Sequence, residues 1–275
     1  MRITTDTTLP AGVVLHEPLV IAASHITIDG NGAVLVGPGR PGERDSFVGA
    51  GITAAGCSNV TLRNVTVRGF AIGLMASDGL GWVIEQCDFS DNYTDPEFGW
   101  GEGPRYGGLI LTRLRGCVLR GNTARRVWNG FDLCECANNL IVGNRFAHCT
   151  NVCLRMDRSP HNTILDNDLS YGLRIKPGEV HARDSAGVLI ESGSDHNLFY
   201  RNDITHGGDG VFVRALNEYV SAGNVFIEND CSHAHNNGFE AWTPAEVYIR
   251  NRANHCSFGF WLGGSDRTVL LGNEA

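Results

Sequence analysis

Asp132, Glu191, Glu240 and Arg214 fall at one phase of a pattern that recurs through most of this 275-residue chain. The pattern is Gly-Φ-x-Φ-x, where Φ is apolar. It begins at Gly73, Gly108, Gly130, Gly187, Gly210, Gly238 and Gly259. In an extended strand, alternate side chains leave opposite faces, so the residues one and three after each Gly point one way. Those positions are apolar throughout, as in Leu109/Leu111, Phe131/Leu133, Val188/Ile190 and Phe239/Ala241. The residues two and four after the Gly then face outward. They include Asp132, Leu189, Glu191, Phe212, Arg214, Glu240, Trp242 and Trp261. The segment Val152–Asp157 lacks the Gly and reads as carrying an extra residue, which leaves either Arg155 or Met156 in the outward slot.

Carboxylates, an arginine and aromatics on one face can do sugar chemistry. If the strands stack at about 4.8 Å, Glu191 and Glu240 are two strands, roughly 10 Å, apart with Arg214 between them. Two carboxyls about 6.5–9.5 Å apart suit an inverting glycosidase, one as acid and one as base around a water. Arg214 would keep Glu191 ionised as the base, and the wall of Trp242 would hold Glu240 protonated as the acid. Asp132 stands at the near end of the same row. Arg155, Arg214, Trp242 and Trp261 are expected to bind the sugar. The acids outnumber the bases in this face, which argues against a strongly anionic substrate.

Two insertions flank the face at the same corner, residues 93–106 and 173–184, and a shorter one at 217–222 lies at the opposite end of the strand. They describe a groove. Trp100 and Tyr106 of the first are expected to close over a substrate, and His181 and Asp184 of the second to move protons or bind sugar. A histidine column, His148, His206, His233 and His255, borders the start of the strand, and His206 near Asp209 is its best candidate for a groove role. Stacked so closely, these rings cannot all be charged cheaply.

What positions these residues is a second repeat. Asn64, Asn122, Asn144, Asn167, Asn202, Asn229, Asn251 and Asn273 each follow a short apolar run, mostly at steps of 22 or 23 residues, with Gln86 filling the gap. A fixed period of this size with strand-like patterning signals a solenoid. Lacking any 3.6-residue apolar stripe, it reads as a parallel β-helix with one coil per period. Asparagine tolerates left-handed backbone at a corner, and stacked amides can bond as a ladder.

With these motifs the chain resembles the right-handed parallel β-helix proteins of the pectin-lyase-like superfamily, and among them the NosD-like repeat proteins. The resemblance covers nearly the whole chain. It implies an all-β, single-stranded right-handed solenoid of about 22 residues per coil, and a superfamily of lyases, hydrolases, epimerases and proteins without known activity. Arg174-Ile175-Lys176 is identical to a substrate-binding triplet of polygalacturonases, but that family's paired-Asp and Gly-His-Gly motifs do not precede it.

Composition agrees with one continuous domain over 1–275, with 1–37 as N-terminal cover and first coils. Gly is abundant at 35 residues, as many corners require. The net charge of −8 would repel nucleic-acid phosphates. No stretch approaches a membrane span, and the N-terminus lacks the apolar core of a signal peptide. The sequence as written therefore reads as cytoplasmic, or as secreted if a leader has been removed. Nine cysteines without paired C-x-x-C spacing read as small core fillers, and no zinc site is expected. The chain ends on the ladder at Asn273-Glu274-Ala275 without a cap, so self-association through that open edge is an expectation.

The leading expectation is a glycoside hydrolase acting on an oligo- or polysaccharide without a cofactor. The alternatives are a polysaccharide lyase or uronate epimerase, where Ca²⁺ could enter, and a non-catalytic sugar-binding or scaffold solenoid.

Overall fold

The computed structural model describes residues 1–99, 105–216 and 218–275. The chain winds into a right-handed parallel β-helix. One sheet of 11 strands runs from Arg2–Ile3 through Asn129–Cys134, Val152–Asp157, Ala186–Glu191, Asp209–Val213 and Asn237–Ala241 to Phe258–Leu262. It is called the front sheet below. A second sheet of 12 strands, ending at Val269–Leu271, forms the back. Among the described residues there is no α-helix, and one 3₁₀ turn covers Arg44–Ser46.

The inward alternation holds. Leu109, Leu111, Phe131, Leu133, Val188, Ile190 and Phe239 are at most 1% exposed. Only in the last coil are the equivalents, Phe260 and Leu262, partly open. Apart from one register shift between Asp29 and Ala33, strands pair in register with those above, so like residues stack on like. Phe199, Phe226 and Tyr248 stack at 4.9 and 5.1 Å, and Phe239 lies 5.0 Å from Phe260.

Two sequence expectations about register are corrected. Val152–Asp157 carries no extra residue: Cys153 takes the glycine's place, Arg155 points outward and Met156 is fully buried. Gln86 does not complete the asparagine column. Glu85 pairs with Arg120, so Gln86 matches Gly121, and Cys87 occupies the ladder position, its N–H donating to Asn122 Oδ1 at 3.1 Å. Asn64 lies one residue off the ladder in the same way, and its amide bonds Asp29.

The true ladder runs Asn122, Asn144, Asn167, Asn202, Asn229, Asn251, Asn273. Each Nδ2 donates to the next Oδ1 at 2.9–3.1 Å. The same oxygens accept the backbone N–H of the preceding coil's asparagine, so the ladder closes a corner's backbone groups inside the solenoid. The left-handed residue is the one before each of these asparagines, such as Arg201 (φ 53°), Glu228 (φ 55°) and Arg250 (φ 50°). Such a backbone is costly for these residue types and persists where surrounding bonds over-determine it. A second interior ladder, Asn139–Asn162–Asn197–Asn224, lies at the other corner and ends on the fully buried Glu246.

Candidate active site

The front sheet's outward side chains form two columns. One runs Ile110, Asp132, Arg155, Leu189, Phe212, Glu240, Trp261, each the register partner of the next. The other holds Cys134, Asp157 and Glu191, continued by Arg214 and Trp242. Glu191 and Glu240 are therefore in different columns, which corrects the expectation of a carboxylate pair facing each other across Arg214.

The centre of the face is an alternating row, Arg105–Asp132–Arg155–Glu191–Arg214. Arg105 embraces Asp132 with two guanidinium donors, its Nε at 2.8 Å. Arg155 reaches both carboxylates, at 2.8 Å to Glu191 and 3.4 Å to Asp132, and Arg214 closes on the other Glu191 oxygen. Asp132 and Glu191 are 0% exposed, whereas the arginine side chains keep 20–28% of their surface open. The guanidiniums, not the carboxylates, face the groove. Burial opposes the charge of Arg105 and Arg155, but the charge and hydrogen bonds of Asp132 raise Arg105, and the charges of Asp132 and Glu191 together raise Arg155. Beside the row, Arg158 neutralises Asp157 at 3.1 Å.

Three guanidiniums thus share two carboxylates, so within this row the expected excess of acid over base does not hold. The sequence reading missed Arg105. It sits two residues before the strand Gly107–Arg115, at the end of an insertion whose polar composition resembled an ordinary loop.

Toward the C-terminal coils the floor turns aromatic. His181, Asn237, Glu240, Trp242, Phe258 and Trp261 line a cleft of about 380 Å³. Glu240 accepts from Trp242 Nε1 at 2.6 Å and from Asn237 Nδ2 at 2.5 Å. Trp242 and Trp261 remain 46% and 41% exposed, and Phe258 meets Trp261 edge-on at 4.6 Å. Beneath them Asp209 is 5% exposed and accepts two bonds from Asn237 at 3.1 Å. Burial, then the neighbouring Glu240, pushes its carboxyl up to about 7.

The insertions meet at the rim. Glu97 bonds Lys176 at 2.5 Å and approaches Arg183 at 3.5 Å. His181 and Asp184 are exposed on the second insertion. Tyr106 is half-buried with its ring 4.8 Å from Tyr93, against the rim rather than over the groove. Trp100 lies outside the described residues. Arg174 is buried and donates to the carbonyls of Asp184 and Thr150, so it braces its own loop. His206 sits in the corner stack between Tyr171 and His233, at 4.6 and 4.9 Å; Asp209 takes its bonds from Asn237 instead. Tyr171 fills the gap in the histidine column. Burial lowers His148, in keeping with neutral stacked rings.

No group of three or more His, Cys, Asp or Glu side chains is placed to hold a metal among the described residues. All nine cysteines are free, eight of them buried. No described helix is long and apolar enough to cross a membrane.

The family described as "right handed beta helix region" matches residues 44–204. No curated protein sequence matches the chain. Among solved structures it is similar to the A-module of a mannuronan C-5 epimerase from Azotobacter vinelandii, at 16% identity and a TM-score of 0.62, covering 98% of this chain and 80% of that one. It is also similar to an alginate lyase from a Paenibacillus species, at 13% identity and 0.64, covering 98% and 92%. A periplasmic alginate epimerase aligns at 16% identity and 0.68, over 96% of this chain and 63% of its own length.

Proposed function

This chain belongs to the right-handed β-helix family, and on that premise we propose that it acts on a uronate-bearing polysaccharide, taking the C5 proton of the sugar as a lyase or an epimerase. The observation that carries this reading is the row of three guanidiniums over two buried carboxylates. A uronate carboxylate placed on Arg155 and Arg214 meets a net positive, preorganised site. Such a site stabilises the charge that builds on that carboxylate when C5 loses its proton. Of the solved structures described above, two are by name epimerases and one a lyase, which supports this class.

Glu240 is assigned as the base. It is the unburied carboxylate of the groove floor, one strand from Arg214, and Trp242 and Asn237 fix its orientation. It takes the C5 proton, and the electron pair is held on the arginine-bound carboxylate. Elimination then expels the oxygen at C4, which takes a proton from His181 across the cleft. Alternatively, C5 is reprotonated from the opposite face by a proton drawn from solvent. Asp132 and Glu191 position the arginines. The metal-free route uses these arginines where a Ca²⁺ ion could neutralise the substrate elsewhere.

A second reading, hydrolysis, is favoured by one observation: Asp209, protonated up to about pH 7, lies beside Glu240 as an acid beside a base. Incubation with uronate polymers separates the two. The proposal expects either an ultraviolet-absorbing unsaturated end or exchange of the C5 proton with solvent. New reducing ends with neither would favour the hydrolase.

A further inference from the structure

Recognition changes sharply along the groove axis. The arginine row occupies adjacent coils around Asp132, Arg155 and Arg214. Among the described residues lining the aromatic cleft there is no Arg or Lys. It presents instead Glu240, with Asp209 beneath, and the exposed rings of Trp242, Phe258 and Trp261. From Arg214 to Trp242 is one strand spacing, about 5 Å, and to Trp261 two, about 10 Å, which brings the sugars next along the chain over the aromatics. A second uronate there would set its carboxylate against Glu240 with no arginine or lysine in the described cleft lining to hold it, and like charges juxtaposed in an interface are strongly disfavoured. The apolar face of an uncharged pyranose would cover the rings instead.

The opposite end of the face differs, with no aromatic ring and two arginines among its described lining residues. A cleft of about 520 Å³ has Val20, Met75 and Ile110 on its floor. Its two arginines are engaged, Arg105 with Asp132 and Arg113 with Asp78 at 2.6 and 3.0 Å.

We infer that the substrate is a heteroglycan, in which a single uronate seats on the arginine row and a neutral hexose or deoxyhexose seats on Trp242 and Trp261. This rests on the proposed uronate reading and narrows it: homopolymers of uronic acid are poor substrates. A second uronate beside Trp242 and Trp261 is what the aromatic cleft rejects.

The test compares homopolyuronates with glycans alternating uronate and neutral sugar, reading unsaturated ends, C5 exchange and KM for the full chain. The heteroglycans should be turned over with kcat/KM at least about tenfold higher. Trp261→Ala should raise KM on them about tenfold. Trp261→Lys, at an exposed position, should lower KM on homopolyuronates by supplying the missing cation. Homopolyuronates processed as well as or better than heteroglycans, with Trp261→Lys without effect, would overturn the inference while leaving the uronate reading intact. Turnover of neutral glycans alone would overturn both.

Discussion

Arg155→Met is the most informative single change. Its guanidinium lies between two carboxylates that are 0% exposed, at 2.8 Å from Glu191 and 3.4 Å from Asp132. Methionine keeps the stem and removes the charge. If the row were a solvated surface ladder, the loss would be within about 1 kcal/mol. Burial of both partners puts it in the other class, where removing one member of a buried pair costs about 3–5 kcal/mol because a charge is left uncompensated. Arg105 and Arg214 still hold one oxygen or more of each carboxylate, so the lower end, about 3 kcal/mol, is the expected value. In a chain of this size that lowers the melting temperature by on the order of 10 °C. Adding Glu191→Gln should restore part of the loss, since the charge left behind goes too, and the coupling between the two changes should reach about 1–3 kcal/mol. Thermal or urea denaturation of the two single variants and the double variant measures it. A melting temperature within a degree or two of the parent for Arg155→Met, with additive effects in the double variant, would refute the buried-row argument.

Other outcomes follow from the same geometry. Glu240→Gln should lower kcat by about 10²–10⁴-fold with the fold intact, whereas Glu191→Gln should act mainly through KM and stability; steady-state kinetics on a processed uronate polymer separates them. Asn229→Ala removes the acceptor for Asn202 and the donor to Phe199 O and Asn251, and unsatisfied buried groups at about 1–3 kcal/mol each should make it among the most damaging ladder changes in denaturation. Glu246, with burial raising its carboxyl to about 8, gives a pH dependence of opposite sign to a paired carboxylate. The folded chain holds a proton that the unfolded chain releases above about 4.5, so this contribution is full below that pH, is lost as pH rises to about 8, and is flat beyond. The span is on the order of 4–5 kcal/mol. Glu246→Gln should flatten the stability profile between pH 5 and 8, and a parallel profile in parent and variant would contradict the assignment.

The fold was legible because one physical rule, alternation about the repeated Gly, repeats in every coil. The inward positions and the outward placement of Asp132, Glu191, Arg214, Glu240 and Trp242 follow from it. Where a different residue served the same role, the rule faltered. Cys153 fits the glycine's slot, so no extra residue was needed, and Cys87, not Gln86, completes the corner. The asparagines were visible as a column, but their inward direction was not, because spacing alone does not tell which residue of a Gly-Asn or Arg-Asn pair turns the corner. The second ladder through Asn139 and Asn197 went unread because serines and a proline surround it. In the site, spacing placed the acids in a groove but could not show their burial. That depends on Arg105, delivered by an insertion, and on guanidiniums long enough to cover a carboxylate one coil away. With Arg105 the cations of the row outnumber its carboxylates, three to two.

The most direct test of the account incubates the protein with uronate-containing polymers in deuterated water. Deuterium at C5 and unsaturated ends are followed together, in the parent and in Glu240→Gln. The account expects one of the two signals from the parent and its loss, by about 10²-fold or more, in the variant. Chain cleavage that yields new reducing ends, with C5 still protonated and no unsaturated product, would contradict it.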